Sequence, residues 1–81
     1  MIDSKILLSN INKIHTTKMG MERIRRNLSL GVDNVVEWCK SKIMDKNSLI
    51  TIKGKNWYIE IDKTIITVNK YSYTIITAHK L

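Results

Sequence analysis

The densest positive stretch of the sequence, positions 13 to 26, holds five basic residues and one acid, so it is the first place where a phosphate could bind. Arg23 and Arg26 lie three positions apart, which places them at neighbouring positions on one face of a helix. Paired guanidinium groups suit a phosphate because each can donate two parallel hydrogen bonds. A solvated helix face has a similar composition, and this alternative stays open. The predicted nucleic-acid-binding residues of this stretch are Lys13, Lys18, Arg23 and Arg26.

A smaller basic group stands in the segment KGKN. The flexible backbone of Gly54 lets Lys53 and Lys55 approach a phosphate chain closely, so both are added to the predicted binding residues. Lysines at a hairpin also protect the edge of a sheet, which is the structural alternative.

The chain has two histidines, and the second stands near the end of the last apolar run, YTIITAH. Successive side chains of a strand point to opposite faces. If Ile76 and Ala78 face the core, then Tyr73, Thr77 and His79 share the open face with Ile75. The sequence therefore predicts an exposed His79 beside a phenol and a hydroxyl. An ordinary solvated histidine is the alternative.

The elements that must position these groups fall into two halves. Helical spacing of apolar residues predicts helices over SKILLSNINKIH, TTKMGMERIRRNLSLG and DNVVEWCKSKIM. Thr16 or Thr17 is expected to cap the second helix and Gly31 to follow it. Asp33 or Asn34 is expected to cap the third helix. Its predicted buried row is Val36, Cys39 and Ile43, with Cys39 as a small core residue.

After position 48 the apolar pattern changes to a period of two. LITIK, NWYIEI, TIITVN and YTIITAH are rich in β-branched and aromatic residues and are joined by short turns. Short turns between successive strands indicate an antiparallel meander. We expect one α+β domain over residues 1–81, with a helical half at about 2–45 packed on one face of a four-stranded sheet at about 48–80.

The net charge favours a polyanionic partner. Fourteen Lys and Arg against seven acids give +7 at pH 7, a large excess for 81 residues. The single cysteine excludes an internal disulfide, and the acids are scattered, so we expect no metal and no cofactor. No apolar run reaches the roughly 18 residues of a membrane span, and the first residues are too polar for a secretory signal. A cytoplasmic protein without membrane attachment is expected.

The segments IHTTKMGMERIRRNL, VVEWCKSKI, KGKNWYIEID and ITVNKYSYTIITAHK together resemble a small uncharacterised bacterial family over the full chain. More distantly, the early histidine, the Arg-rich helix and the final TIITAHK resemble the barnase–EndoU–colicin–RelE superfamily of metal-independent ribonucleases. The second resemblance implies a RelE-like fold, many of whose members are toxins. It also implies RNA as the substrate and an acidic antitoxin as a possible protein partner.

In such an enzyme the 2′-hydroxyl attacks its own phosphate, so the site needs a base, an acid and fixed cations. Histidine suits both proton-transfer roles, and Lys or Arg suits the third. The resemblance thus implies the catalytic candidates His15, His79, Arg23, Lys55, Tyr73 and Thr77. Two alternatives remain. One is a non-catalytic module that stacks bases on Trp57 or Tyr58, Tyr71 and Tyr73, and the other is a basic module that binds or inhibits an acidic protein.

Overall fold

The computed structural model describes residues 2–29 and 31–81. Three α-helices precede four strands, which pair antiparallel in the order β1-β2-β3-β4 and confirm the predicted α+β class. The helices are α1 (Ile2–Ser9), α2 (Lys18–Leu28) and α3 (Val35–Ile43), with one 3-10 turn at Ile11–Lys13. The strands are β1 (Leu49–Lys53), β2 (Asn56–Ile61), β3 (Thr64–Asn69) and β4 (Ile75–Lys80).

Two tight turns create the meander. Gly54 adopts φ 61° between β1 and β2, a left-handed conformation that costs a glycine little. Between β2 and β3 both central residues, Asp62 and Lys63, have positive φ (50° and 59°), as hairpin turns matched to strand twist require. The predicted short connections therefore form the predicted antiparallel pairs.

The helices cover one face of the sheet, and the core lies between them. Trp57, Ile59 and Ile61 of β2 face the helices, as their alternation with Tyr58 and Glu60 predicts. The helical contribution to the core includes Val35 rather than the predicted Val36, which is only partly buried. The buried apolar residues are Leu7, Ile14, Ile24, Leu28, Val35, Cys39, Ile43, Trp57, Ile59, Ile61, Ile66, Val68, Ile75 and Ala78.

The predicted first helix is wrong beyond Ser9. The Asn10 side chain donates a hydrogen bond to the Ile6 carbonyl (2.9 Å), and Ile14 is extended with ψ 130°. His15 then pairs with the sheet: its N–H donates to the Tyr73 carbonyl (3.1 Å) and its carbonyl accepts from the Ile75 N–H (2.7 Å). Backbone pairing with a segment far along the chain therefore overrides the local helical spacing of the apolar residues.

The other two helices begin as predicted. The Thr17 hydroxyl accepts from the Gly20 N–H (3.0 Å), and the Asn34 side chain accepts from the Glu37 N–H (3.0 Å). The end of α2 differs from the prediction, since Ser29 with φ 52° terminates the helix before Gly31. A residue in the left-handed conformation ends a helix whether or not it is a glycine. Serine adopts this conformation at a higher energetic cost than glycine does.

The alternation predicted for β4 is wrong at its start. Thr77 pairs with Thr67, but Val68 pairs with Ile75, so a bulge leaves Ile76 as the extra residue. Ile75 is buried and Ile76 is exposed, the reverse of the prediction. Because the bulge interrupts the period of two, residues before it no longer share a face with Thr77 and His79 in the predicted way.

Candidate nucleic-acid interface

The antiparallel meander brings the β1–β2 turn and the β3–β4 loop to the same end of the sheet. The Lys70 N–H donates to the Lys55 carbonyl (2.9 Å), which joins the two loops directly. The segment at His15 is added to the same end through its pairing with Tyr73, Thr74 and Ile75. Three segments that are distant in sequence therefore form one surface.

We call this surface the basic end. It consists of Lys13, His15, Lys55, Lys70, Tyr71 and Tyr73, and the three segments that build it, residues 10–18, 53–56 and 69–74, contain no aspartate or glutamate. Cations without neighbouring carboxylates create a positive potential that attracts polyanions. The basic end therefore suits a chain of phosphates, in a molecule whose other surfaces mix both signs of charge.

Tyr73 holds the basic end together in a strained conformation. Its φ of 60° is left-handed, which is rare for a residue with a large side chain. Its N–H donates to the Asn69 carbonyl (2.9 Å), and its ring lies 5.4 Å from that of Trp57 between ring centroids. The Lys13 ammonium lies 5.5 Å from the centroid of the Tyr73 ring, a cation–π distance. The Tyr73 ring, which is held by its backbone hydrogen bonds and by its packing against Trp57, thus positions the Lys13 ammonium.

Tyr71 offers a base-sized aromatic surface beside the lysines. Its side chain is 70% exposed, and the Lys70 ammonium lies 5.2 Å from its ring centroid. The loop is ordered by the Asn69 side chain, whose Oδ1 accepts from the N–H groups of Tyr71 and Ser72 (2.9 Å each). An ordered loop that presents an exposed ring and a cation can stack an unpaired base and contact its phosphate.

His15 is exposed and fixed through both ring nitrogens. Nδ1 lies 2.8 Å from the Lys13 carbonyl oxygen, which can only accept, so Nδ1 carries the hydrogen. Nε2 lies 3.1 Å from the Thr74 hydroxyl, which in turn lies 2.8 Å from the Ser72 hydroxyl. In the neutral ring Nε2 therefore accepts from Thr74, whereas a protonated ring donates to it. This arrangement can hold or release a proton within the basic end.

The second histidine lies at the other end of the sheet. His79 is exposed and opposite Ile65, on the face away from the helices, as predicted. It is five positions beyond Thr74, which pairs with His15, so the two histidines are separated by about 16 Å along the strand. The structure does not bring them together, and no single phosphate can lie between them as base and acid would require.

The predicted row of Tyr73, Thr77 and His79 is confirmed for Thr77 and His79, which share the open face, and is wrong for Tyr73. Thr77 is partly buried and pairs with Thr67 on the open face, next to His79. Tyr73 lies before the bulge and packs against Trp57 and the core instead. Its left-handed backbone turns its side chain away from the face that strand alternation assigns to it.

The arginines of α2 form a second basic surface along the outside of β4. Arg23 and Arg26 are exposed, whereas Arg25 is partly buried and donates to the Asp33 carbonyl (3.0 Å). The Asn27 side chain donates to the Ala78 carbonyl (3.3 Å), which places the end of this helix beside the His79 half of β4. Lys18 begins the helix close to the basic end, since the adjacent Thr17 and Thr16 lead directly to His15.

Close packing positions α2. The Thr16 hydroxyl donates to the Ile75 carbonyl (3.0 Å), and a Cβ on Gly20 would overlap that hydroxyl. Gly20 is buried, so its lack of a side chain allows the first turn of α2 to approach β4. The helix axis, and with it the row of Arg23 and Arg26, therefore depends on this glycine.

The open face of the sheet forms a shallow groove of about 470 Å³. Lys53 lies in it rather than with Lys55, because the two residues flank the turn. Tyr58 is partly buried in the groove, and Trp57 is only 2% exposed on the core side, so Trp57 cannot stack a base. The groove is lined by Leu49, Thr51, Lys53, Tyr58, Glu60 and Ile65.

Lys70 is the binding candidate that the sequence analysis missed. The signal was present, since NKYSY places a lysine and two tyrosines in one predicted loop. The interaction that makes it relevant, the Lys70–Lys55 backbone hydrogen bond, joins positions fifteen apart and is not visible in local patterns.

Two other features bear on chemistry. Burial raises the pKa of the Cys39 thiol to about 12, so this cysteine stays protonated and unreactive, as a core residue should. Among the described residues, no three His, Cys, Asp or Glu side chains gather where they could hold a metal ion. In the same part of the chain, every helix is too short or too polar to cross a bilayer.

Comparison with known proteins places the chain in a family. No curated protein and no solved structure matches it significantly. A family model matches residues 8–79, which include the whole of α2, the basic end, β1 to β3 and β4 as far as His79. The chain therefore belongs to the family described as "Protein of unknown function (DUF3781)".

Proposed function

We propose that this protein binds RNA through the basic end. The observation that carries the proposal is that backbone hydrogen bonds join Lys55 and the His15 segment to the loop that exposes Lys70 and the ring of Tyr71, with no carboxylate in the segments that form this surface. Lysines bind phosphates through charge, and an exposed aromatic ring binds bases that are not already stacked in a duplex. Single-stranded RNA, or the loop of a folded RNA, combines both groups.

The α2 surface extends this proposal. Lys18 follows the basic end directly, and Arg26 lies eight positions further on, about 12 Å along the helix axis. A strand bound at Tyr71 can therefore continue beside α2, where Arg23 and Arg26 are exposed to receive further phosphates. Lys53 faces the open groove and contributes from the other side of the turn.

Binding across a salt series tests the proposal. We expect fluorescence anisotropy with a labelled single-stranded RNA to give an affinity whose logarithm falls with the logarithm of salt concentration. The slope should be about −2 for the three lysines of the basic end, and steeper where the α2 surface adds contacts. Lys13→Ala combined with Lys55→Ala should reduce that slope by about 1.4. The matched control is Lys46→Ala with Lys63→Ala, which removes the same charge elsewhere. Affinity that does not change with salt, or equal effects of both pairs, would contradict the proposal.

A metal-independent ribonuclease of the toxin type is the second candidate, as the sequence resemblance to RelE-like ribonucleases implies. One observation favours it: His15 is fixed inside the basic end with Nδ1–H against a carbonyl and Nε2 towards a hydroxyl. Nε2 could take the proton of a 2′-hydroxyl as its oxygen bonds to the phosphorus, while Lys13 and Lys55 stabilise the charge that develops on the phosphate. The P–O5′ bond then breaks, and a solvent water supplies the proton to the leaving 5′-oxygen. His79, Arg23 and Thr77 lie away from this point and have no direct part in such a reaction.

Incubation with RNA in EDTA distinguishes the two candidates. A nuclease should produce 2′,3′-cyclic phosphate ends and leave DNA intact, because DNA lacks the attacking hydroxyl. His15→Ala should slow cleavage roughly 100-fold, whereas His79→Ala should leave the rate unchanged. Binding without cleavage in this assay supports the binding module. If the protein captures an acidic protein and has no affinity for RNA, the result would instead favour a module that binds or inhibits an acidic protein such as an antitoxin.

A further inference from the structure

The two edges of the sheet are protected to different degrees. At β4, the edge is partly occupied by the His15 segment and by the side chains of Thr16 and Asn27, which donate to its carbonyls. At β1, four of the five residues are exposed, and no described segment pairs with its outer side. An edge strand with free backbone groups is a template for another strand.

The turn geometry determines which backbone groups of β1 are free. Lys53 and Asn56 close a two-residue hairpin turn and therefore form a hydrogen-bonded pair. Because hydrogen-bonded pairs alternate along an antiparallel ladder, Thr51 and Leu49 also bond to β2. The N–H and C=O groups of Ile50 and Ile52 therefore point outward.

Apolar side chains surround this edge on both faces of the sheet. On the open face Leu49 is 60% exposed, and on the helical face Ile52 is 37% exposed. A second groove of about 310 Å³ runs beside β1 between α1 and the end of α3. Leu8 and Met44, which line this groove, are also exposed. A patch of this kind around a free edge is typical of a protein interface.

We propose that β1 pairs with β1 of a second copy of this chain, antiparallel and around a two-fold axis at Thr51. In this register Ile50 of each copy lies opposite Ile52 of the other, so the outward backbone groups exchange hydrogen bonds and the two isoleucines pack together. The result is one continuous sheet that contains the four strands of each copy. The proposal does not depend on nucleic-acid binding.

Charge complementarity favours a second copy as the partner. On the open face Leu49 lies beside Glu60 of its own chain, and the two-fold register places Lys53 of the second copy on its other side. The aliphatic stem of that lysine covers Leu49, and its ammonium reaches Glu60. The symmetry repeats this contact. A strongly acidic strand would instead meet Glu60 and Asp45 at the same edge.

The antiparallel arrangement also limits charge repulsion. The β1–β2 turn of one copy lies beside the start of β1 in the other, so the two basic ends point in opposite directions along the sheet. Two chains of net charge +7 can therefore associate without bringing Lys55 and Lys70 of both copies together.

Sedimentation equilibrium over a concentration series tests the pairing. We expect a reversible dimer whose Kd rises about tenfold for Glu60→Lys and for Lys53→Glu, and returns to within about threefold of the original value in the double exchange. The matched control is Glu22→Lys on α2, which makes the same charge change far from β1 and should leave Kd unchanged. A monomer at every concentration up to about 1 mM, equal effects of E60K and E22K, or an additive double exchange would overturn the proposal.

A backbone variant checks the edge itself. Ile52→Pro removes an N–H that points outward, and edge strands tolerate proline at such positions. We expect it to keep the circular dichroism spectrum of the original chain and to abolish the dimer. A folded Ile52→Pro protein that still dimerises would overturn the β1 pairing. If Ile52→Pro fails to fold, the Glu60→Lys and Lys53→Glu series still tests the β1 pairing independently.

Discussion

The basic end and the opposite end of the sheet are built from similar parts, since each has a tight turn between antiparallel strands and one histidine nearby. They differ in the charges around those parts. At the opposite end Lys42 forms an ion pair with Asp62 (2.8 Å), and Glu60 and His79 lie in one row of the sheet on either side of Ile65. At the basic end the contributing segments contain no acid. The excess charge of the chain is therefore concentrated by the fold rather than spread evenly.

This comparison gives different meanings to two similar residues. His15 is fixed by hydrogen bonds among cations, whereas His79 is an exposed strand residue beside Ile65. An exposed histidine needs no functional explanation, whereas one with both ring nitrogens held by hydrogen bonds in a lysine-rich surface is a candidate site residue. The two residues are of the same type, so it is their surroundings that distinguish the candidate site residue from an ordinary surface residue.

The largest expected effect comes from reversing charge at each end. Lys55→Glu with Lys70→Glu should weaken RNA binding about 100-fold, because two phosphate contacts become repulsive. Lys63→Glu with Lys80→Glu makes the same change at the opposite end and should weaken binding less than about threefold. Fluorescence anisotropy at fixed salt measures both. Equal losses would mean that net charge alone drives binding and would remove the distinction between the ends.

Removing the exposed ring should have the next largest effect. Tyr71→Ala should weaken binding of single-stranded RNA about tenfold, because stacking of one base contributes about 1–3 kcal/mol. Tyr71→Phe retains the ring and is the matched control, with expected affinity close to that of the original chain. The same titration with duplex RNA should be insensitive to both variants. An undiminished affinity of Tyr71→Ala would limit the basic end to charge interactions.

Exchanging each histidine for glutamine should sharpen the comparison further. His15→Gln should weaken RNA binding about threefold, because the imidazole held by the Lys13 carbonyl and the Thr74 hydroxyl lies among the cations of the basic end. His79→Gln should leave the affinity unchanged. Anisotropy titrations of both variants measure the difference, and a loss of affinity that follows His79 would reverse the assignment.

The smallest effect on binding is expected from Cys39, which lies in the core away from both ends. Burial raises its pKa from 9.0 to about 12, so the unfolded chain loses this proton first as the pH rises. Stability should therefore fall progressively between pH 9 and 12, without a change in RNA affinity at neutral pH. Urea unfolding midpoints at pH 8 and 10.5 measure it. Cys39→Ala is the control, and an equally steep decline in that variant would assign the effect to other groups.

The regular elements could be predicted because their signals are local. Thr17 and Asn34 cap helices with their own side chains, and LITIK, NWYIEI and TIITVN alternate without interruption. Two failures have non-local causes. The helix predicted through His15 fails because this segment pairs with Thr74, and the face predicted for Ile75 fails because β4 has a bulge in its pairing with β3. Helical spacing and strand alternation carry no information about such pairs.

The sequence by itself determined the composition of the candidate site: its excess of lysine and arginine, its two histidines and the loop tyrosines. It also determined the meander, because short turns leave successive strands no other partner. Only the tertiary structure decided which cations act together. Lys13, Lys55 and Lys70 lie at one end of the sheet because His15 pairs with Thr74 and the Lys70 backbone bonds to Lys55. His79 lies at the other end because β4 runs the length of the sheet between them. Distances between charges depend on non-local backbone pairing, and therefore on the fold as a whole.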